Sequence, residues 1–154
     1  MARNDQRSIP VWLLALAGVL LAGRIALFVT HEEPPERMTW LPIEQGLDAA
    51  RATGMPVLID FTAEWCAPCH KLDAEVFGDP ELAAEINRRF ITIRVTDRQQ
   101  EDGRNAPDVD ALQRRYSVNG FPTVVFADPD GNELARMEGF GGQRQFRQVM
   151  EQAR

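Results

Sequence analysis

Cysteine is scarce in this sequence. Two residues, Cys66 and Cys69, are all that a chain of 154 contains, too few for the multi-bridge scaffold on which small secreted domains rely. Histidine is equally scarce, with His31 and His70 alone. A structural zinc site takes four ligands, and His31 stands in a linker well before the cysteine pair, so a metal site would need ligands from a second chain. No metal and no other cofactor is expected. Positive charge is short as well: 17 Lys and Arg against 23 Asp and Glu leave a net charge of -6. Nucleic acids and anionic surfaces reward Lys/Arg patches, so neither is expected as the main partner of the folded part. Internal repeats and low-complexity tracts are lacking too. What remains is 44% hydrophobic and 26% charged, an ordinary globular composition with enough apolar residues for a core.

One apolar run stands apart from the globule. "IPVWLLALAGVLLAGRIALFVT" (residues 9–30) is interrupted by charge only at Arg24. It is about 22 residues long, against the roughly 20 that cross a hydrocarbon core. Residues 1–8 carry Arg3 and Arg7, and "HEEPPE" follows the run. The positive flank stays inside, which predicts a single-pass signal anchor in the inner membrane, a cytoplasmic tail at 1–8 and a C-terminal part facing the periplasm or exterior. Arg24 can snorkel to the outer interface. A cleaved signal peptide is the rival reading. Ala15-Leu16-Ala17 has the small-x-small form, but the apolar stretch before it is short. A buried soluble helix fits less well, because the run is apolar all round. Residues 31–37 are charged and Pro-rich and read as an extended linker. Residues 38–154 then make one domain of common size.

Within that domain strands and helices alternate. "MTWL" reads as a short edge strand. Ile43, Leu47 and Ala50 recur at helical spacing before a Gly54 stop. "PVLIDFT" (residues 56–62) is the dense apolar run of a central buried strand. A helical pattern runs from Cys66 through Leu72 and Val76. Asp79 and Pro80 are an N-cap and first residue of the next helix. "FITIRVT" (residues 90–96) is a second strand, residues 97–108 a polar loop, "DVDALQRRY" a helix and "PTVVFA" a third strand. "DPDG" (residues 128–131) turns into the hairpin partner "NELARMEG", and a last amphipathic helix buries Phe146, Val149 and Met150. This predicts an α/β fold, a central mixed β-sheet flanked by helices.

The pair in "DFTAEWCAPCHKLD" (residues 60–73) has three readings: half a metal site, a structural staple, or a redox couple. The surrounding pattern places Cys66 at the start of a helix, right after a strand and the turn "AEW". Unpaired N–H groups and the positive end of the macrodipole favour a thiolate there. Cys69 lies one turn on, placed to attack a mixed disulfide formed on Cys66. Pro68 stiffens the turn and adds no donor or charge to stabilise the Cys66 thiolate further. "CAPC" therefore leans towards a reductant over a strong oxidant.

With Trp65-Cys66-Ala67-Pro68-Cys69 at a strand-to-helix turn, the sequence resembles the thioredoxin superfamily. Two further matches support the resemblance. Asp60 falls where thioredoxins carry a buried Asp beneath the active site, and "GFPT" (residues 120–123) falls where they carry a cis-proline loop facing the cysteines. The likeness covers residues 38–154. "EQGLDAARATGMPVLIDFTAEWCAPC" and "VFGDPELAAEI" look most like the C-terminal thioredoxin-like domain of the transmembrane thiol–disulfide interchange proteins of the DsbD type, a family that passes electrons to extracytoplasmic thiol proteins. There are departures. Those domains do not usually keep Pro between the cysteines, and His70 stands where Lys is common. The multi-helix electron-transporting domain is not in this sequence, so the reductant is expected to be another protein, an upstream membrane electron donor.

The resemblance implies roles. Cys66 would be the nucleophile, Cys69 the resolving thiol, and Asp60 the group that takes or guides the proton of Cys69. Burial would raise the Asp60 pKa. Pro122 would be cis, with Phe121 pairing its backbone to an extended client segment. Trp65 and Pro68 would border the sulfur pair, His70 would tune it or simply be solvated, and Arg94 would stand near Asp60 in place of a Lys. The reading is a membrane-anchored thiol–disulfide oxidoreductase, a monomer that serves thiol/disulfide client proteins mainly as a reductase or electron relay. A disulfide oxidant or isomerase is the alternative in the same chemistry; strong oxidants of the superfamily usually place His between the cysteines. A non-catalytic thioredoxin-fold binding module is the alternative from another class.

Overall fold

The structure is a computed structural model that describes Trp12 and residues 37–153. The chain divides into two compact units, Met1–Pro35 and Glu36–Arg154. The anchor expected over residues 9–30 and the linker over 31–37 lie outside the described residues, save Trp12 and Arg37. Among the described residues no helix is long and apolar enough to cross a membrane.

The second unit runs β1 (Trp40–Leu41), α1 (Ile43–Thr53), β2 (Val57–Ala63), α2 (Ala67–Leu72), a π-helical turn (Asp73–Phe77), α3 (Pro80–Arg89), β3 (Ile91–Asp97), α4 (Gln99–Asp102), α5 (Pro107–Arg115), β4 (Thr123–Ala127), β5 (Glu133–Glu138) and α6 (Gln143–Gln152). The sheet order is β1-β3-β2-β4-β5. β1, β3 and β2 are parallel, β4 is antiparallel to β2, and β5 is antiparallel to β4. This is the expected mixed sheet with helices on both faces.

Strand β2 takes the centre because its sequence is buried at all seven positions, the pattern of a strand paired on both edges and covered on both faces. Alternation divides the core. Leu58 packs with Leu72, Val76, Leu82, Ile86, Val124, Phe126 and Phe146 on one face. Val57, Ile59 and Phe61 pack with Ile93, Val95, Leu112, Tyr116 and Val125 on the other. By parity Asp60 belongs to the Leu58 face.

The punctuation is local chemistry. Gly54 ends α1 at φ 71°, with its N–H on the Ala50 carbonyl, a left-handed cap that a residue without Cβ adopts at no steric cost. Asp79 caps α3 by accepting from the N–H groups of Glu81 and Leu82, and Pro80 follows at the first helical position. Two segments differ from the sequence reading. The helix after Cys66 does not stay α-helical through Val76: it widens at Asp73–Phe77, closed by the Gly78 N–H on the Asp73 carbonyl. A Cβ on Gly78 would come within 3.0 Å of the Ala74 carbonyl oxygen and 3.1 Å of that of Asp73, so glycine allows this closure. The polar stretch 97–108 is also not all loop. It holds α4, and Asp97 organises it: one carboxylate oxygen accepts from the Gln99 N–H at 3.0 Å, the other from Asn105 at 2.7 Å and Gln113 at 2.9 Å. Burial pushes the Asp97 carboxyl up, but hydrogen bonds from Gln113, Asn105 and Gln99 outweigh it and hold it below the usual carboxylate range.

Helix α1 lies close on β3. A Cβ at Gly46 would stand 2.4 Å from Cγ1 of the fully buried Ile93. Gly46→Ala is therefore expected to destabilise the domain by about 1–3 kcal/mol through overpacking. Denaturant melts of the two proteins check this; equal midpoints would contradict the close approach.

Candidate active site

Strand β2 ends at Ala63, residues Glu64 and Trp65 make the turn, and Cys66 becomes the N-cap of α2 in an extended conformation. Its carbonyl accepts from the N–H groups of Cys69 at 3.0 Å and His70 at 3.2 Å. Its Sγ accepts from the Cys69 N–H at 3.2 Å. Pro68 sits in the first turn of α2, where its missing N–H would have had no helical partner. Cys66 and Cys69 are joined in a disulfide with a Cα–Cα distance of 5.2 Å. The two readings in which the sulfurs bond to each other, a staple and a redox couple, fit this geometry at a helix start.

The proline loop arrives from far along the sequence. Because β4 is antiparallel to β2, Thr123 at the start of β4 pairs with Phe61 near the end of β2. That register puts residues 120–122 beside the cysteine turn. The Phe121–Pro122 peptide is cis, the geometry that the resemblance implies. Pro122 is buried, and its carbonyl accepts from the Gly139 N–H at 2.8 Å. Phe121 packs against Ala63, Cys66 and Cys69. Its ring meets that of Trp65 edge to face, centroids 6.0 Å apart at 74°. Trp65 itself is half exposed. Beside the proline lies an open pocket of about 240 Å³ lined by Asn119, Gly120, Phe121, Thr123, Glu138 and Gly139.

Asp60 is 1% exposed. Its cross-strand neighbour in β3 is Arg94, whose Nε donates to Oδ2 at 3.0 Å, while Oδ1 has no partner. Loss of water dominates: burial raises the Asp60 pKa from 3.8 to about 7, the Arg94 charge and hydrogen bond pull it down, and the Asp73 charge pushes it up. A buried carboxyl poised near neutrality is a usable proton acceptor and donor.

The sequence reading named Asp60 and set Arg94 near it. It did not find Asp73, which takes the far end of the same guanidinium. Nor did it find the rings of Trp40 and Phe77, which stack on Arg94 at 4.3 and 5.4 Å. Spacing carries no signal for Asp73, since the π-helical turn sets its direction. A second missed cluster ties the cysteine turn to its surroundings. Arg98 pairs with both Glu64 and Asp102, and the His70 ring, Nε2 donating, bonds the Glu64 carbonyl at 2.8 Å.

The comparisons agree with this geometry. The thioredoxin-like domain family matches residues 43–154, and the chain belongs to that family. The thiol:disulfide interchange protein DsbD of Pseudomonas fluorescens is 36% identical over 107 residues, covering 69% of this chain and 16% of that protein. The chain therefore aligns with only a small part of the curated relatives it matches. Among solved structures, a thioredoxin from Thermus thermophilus superposes with a TM-score of 0.62 at 29% identity, covering 76% of this chain and 90% of its own. The oxidised C-terminal domain of DsbD from Neisseria meningitidis gives 0.56 at 28% identity, covering 75% of this chain and all of its own. Fold, family and the CxxC disulfide together define a thioredoxin-like thiol–disulfide oxidoreductase.

Asp60 makes stability depend on pH. The folded state binds this proton up to about pH 7, whereas an unfolded carboxyl releases it near 3.9. The neutral carboxyl is thus tolerated at low pH, and the folded state loses stability as pH rises from about 4 to about 7. Asp60→Asn is expected to match the native protein below about pH 4 and to exceed it by on the order of 2–4 kcal/mol above pH 7. Urea melts at pH 4 and pH 8 measure the difference; a pH-independent offset would contradict the raised pKa.

Proposed function

We propose that this chain is a membrane-anchored, extracytoplasmic thiol–disulfide oxidoreductase that acts mainly as a protein-disulfide reductase or electron relay. In this reading residues 1–8 are a cytoplasmic tail, 9–30 a transmembrane signal anchor in the inner membrane, 31–37 a linker and 38–154 the redox domain, a monomer facing the periplasm or exterior. Its partners are thiol/disulfide client proteins and an upstream membrane electron donor. The observation that carries the chemistry is the Cys66–Cys69 disulfide at the start of α2, with the Cys69 N–H directed at Cys66 Sγ.

Cys66 is the nucleophile. At the helix start a backbone N–H points at its sulfur and favours the thiolate. In the reduced protein the Cys66 thiolate attacks a client disulfide, forming a mixed disulfide and expelling one client thiolate. Cys69, the resolving thiol, then gives up its proton with the help of Asp60. Its thiolate attacks Cys66 Sγ, closes the Cys66–Cys69 bond and releases the second client thiolate. Two electrons pass from the pair to the client, and the two client thiolates take up protons. The upstream donor returns two electrons to the pair. Asp60 suits the proton step because a pKa of about 7 lets it accept and return a proton near neutral pH. Trp65, Pro68, Phe121 and Pro122 border the sulfur pair, and the pocket beside Pro122 suits an extended client segment added along the loop.

The direction rests on the dipeptide Ala67-Pro68. Neither residue offers a charge or side-chain donor to stabilise the thiolate beyond what the helix start supplies, and over-stabilising the reduced form is what makes a strong oxidant. The reduction potential of the Cys66–Cys69 pair, equilibrated against a thiol buffer, is expected near the thioredoxin value of about -270 mV. A value near the roughly -120 mV of a strong disulfide donor would reverse the direction.

The order of attack has its own test. Cys69→Ala is expected to accumulate mixed disulfides with clients through Cys66, seen as adducts on non-reducing gels. Cys66→Ala should fold normally, form no adducts and lose turnover. Adducts trapped by Cys66→Ala and not by Cys69→Ala would exchange the two roles.

A further inference from the structure

A nucleophilic sulfur has to be reached from outside, yet Cys66 is only 2% exposed. It belongs to a buried apolar cluster with Ala63 and Cys69, against which Phe121 packs. Ala63 and Cys69 belong to the strand end and the helix that carry the pair, and they cannot withdraw without dismantling both. Phe121 is different. It lies in the loop before β4, outside any helix or strand. It is half-buried, and its ring is held at the outer edge by the half-exposed Trp65. An edge-to-face contact between two rings is weak compared with the packing of a core side chain. The pocket at this loop is bounded by Asn119, Gly120 and Glu138 as well as by Phe121 itself, so whatever enters it touches the same residue that packs against the cysteine cluster.

We propose that Phe121, latched on Trp65, is a gate over Cys66: it slows exchange with small thiols and disulfides and yields to a polypeptide segment seated in the pocket at Asn119, Gly120 and Glu138. The inference rests on Cys66 being the exchanging sulfur. Access enters the rate of thiol–disulfide exchange directly. A ring lying over the sulfur slows attack from either direction equally, so it changes rates and leaves the reduction potential of the pair where it is. The gate insulates the couple. A reduced pair behind it keeps its electrons from small oxidants in the surrounding medium and releases them to proteins large enough to move the ring.

Dithiothreitol is the small probe. One of its thiolates attacks Cys66 Sγ, and Cys69 leaves as a thiolate. The second dithiothreitol thiol then attacks its own sulfur of the mixed disulfide, closes a cyclic disulfide and frees Cys66. The pair gains two electrons and two protons, and dithiothreitol loses the same. With the full chain, the rate is read by acid quench and alkylation of the free thiols. Reduction of insulin disulfides by the reduced chain is the protein arm.

Phe121→Ala is expected to speed the dithiothreitol reaction by about tenfold with the potential unmoved, while the insulin rate, which also loses the client contact that Phe121 makes, does not rise. Phe121→Leu, which keeps apolar bulk against the core but loses the ring edge on Trp65, is expected to fall between. It carries the test by itself if Phe121→Ala does not fold. A dithiothreitol rate within twofold of the native protein in the folded variants overturns the gate, as does an equal gain for dithiothreitol and insulin, or a rate gain that comes with a shifted potential. If neither the native protein nor the variants exchange with dithiothreitol at all, the exchange reading of Cys66 falls and the gate falls with it.

Discussion

A carboxyl group sits in the middle of the central, fully buried strand of this protein, and much of the local architecture answers to it. Strand β2 is closed to water at every position, so Asp60 enters the core by register alone. An ionised carboxylate there is costly unless paired. Arg94 supplies the pair from the adjacent strand. The guanidinium is in turn fixed by Asp73 and by the rings of Trp40 and Phe77. β1, β2, β3 and the π-helical turn after the cysteine helix therefore meet on one side chain. The compensation is incomplete: Oδ1 stays without a partner, and desolvation prevails over the cation. That residue of uncompensated cost is what leaves the carboxyl titrating near neutrality.

The same strand delivers the cysteines. β2 runs out at Ala63, and the chain turns at once into α2, so the sulfur pair lies just beyond the end of the strand that buries Asp60. Antiparallel pairing with β4 then carries residues 120–122 to the same end. Three segments of the candidate site are thus gathered by two strand registers. A slip of one residue in β2 would turn Asp60 to the opposite face and move every apolar side chain of the strand with it. Burial on both faces makes such a slip costly, and the site inherits its precision from the core.

Around this centre the charged surface is organised, not diffuse. Glu64 at the cysteine turn is tied by its side chain to Arg98 and by its carbonyl to His70. Arg98 also reaches Asp102 in α4. Behind them Asp97 gathers Gln99, Asn105 and Gln113. Exposed ion pairs of this kind contribute little to stability singly. Together with the buried Asp97 they give the polar excursion after β3 a definite shape on the flank of the redox turn.

Much of the fold was legible in the sequence, because its signals are local. The continuous apolar run of β2 requires burial on both faces. Gly54, Asp79 and Pro80 mark helix ends by their own backbone chemistry, and the spacing of Phe146 and Met150 describes a buried helix face. The position of Cys66 after a strand and before a helix was legible for the same reason. The π-helical turn at Asp73–Phe77 and the helix within 97–108 were not. The first brings Asp73 to Arg94 of β3, a contact between distant segments, and uses the space that Gly78 leaves. The second depends on one buried carboxylate collecting donors from eight and sixteen residues away. Which side of the sheet Asp60 faces, how far its pKa rises, and that Phe121 packs against the cysteine cluster were likewise decided in three dimensions. Desolvation and contact between distant segments are properties of the packed chain. The sequence by itself determined where the cysteine pair and Asp60 stand and which elements present them; tertiary packing alone decided how those residues are charged, paired and buried.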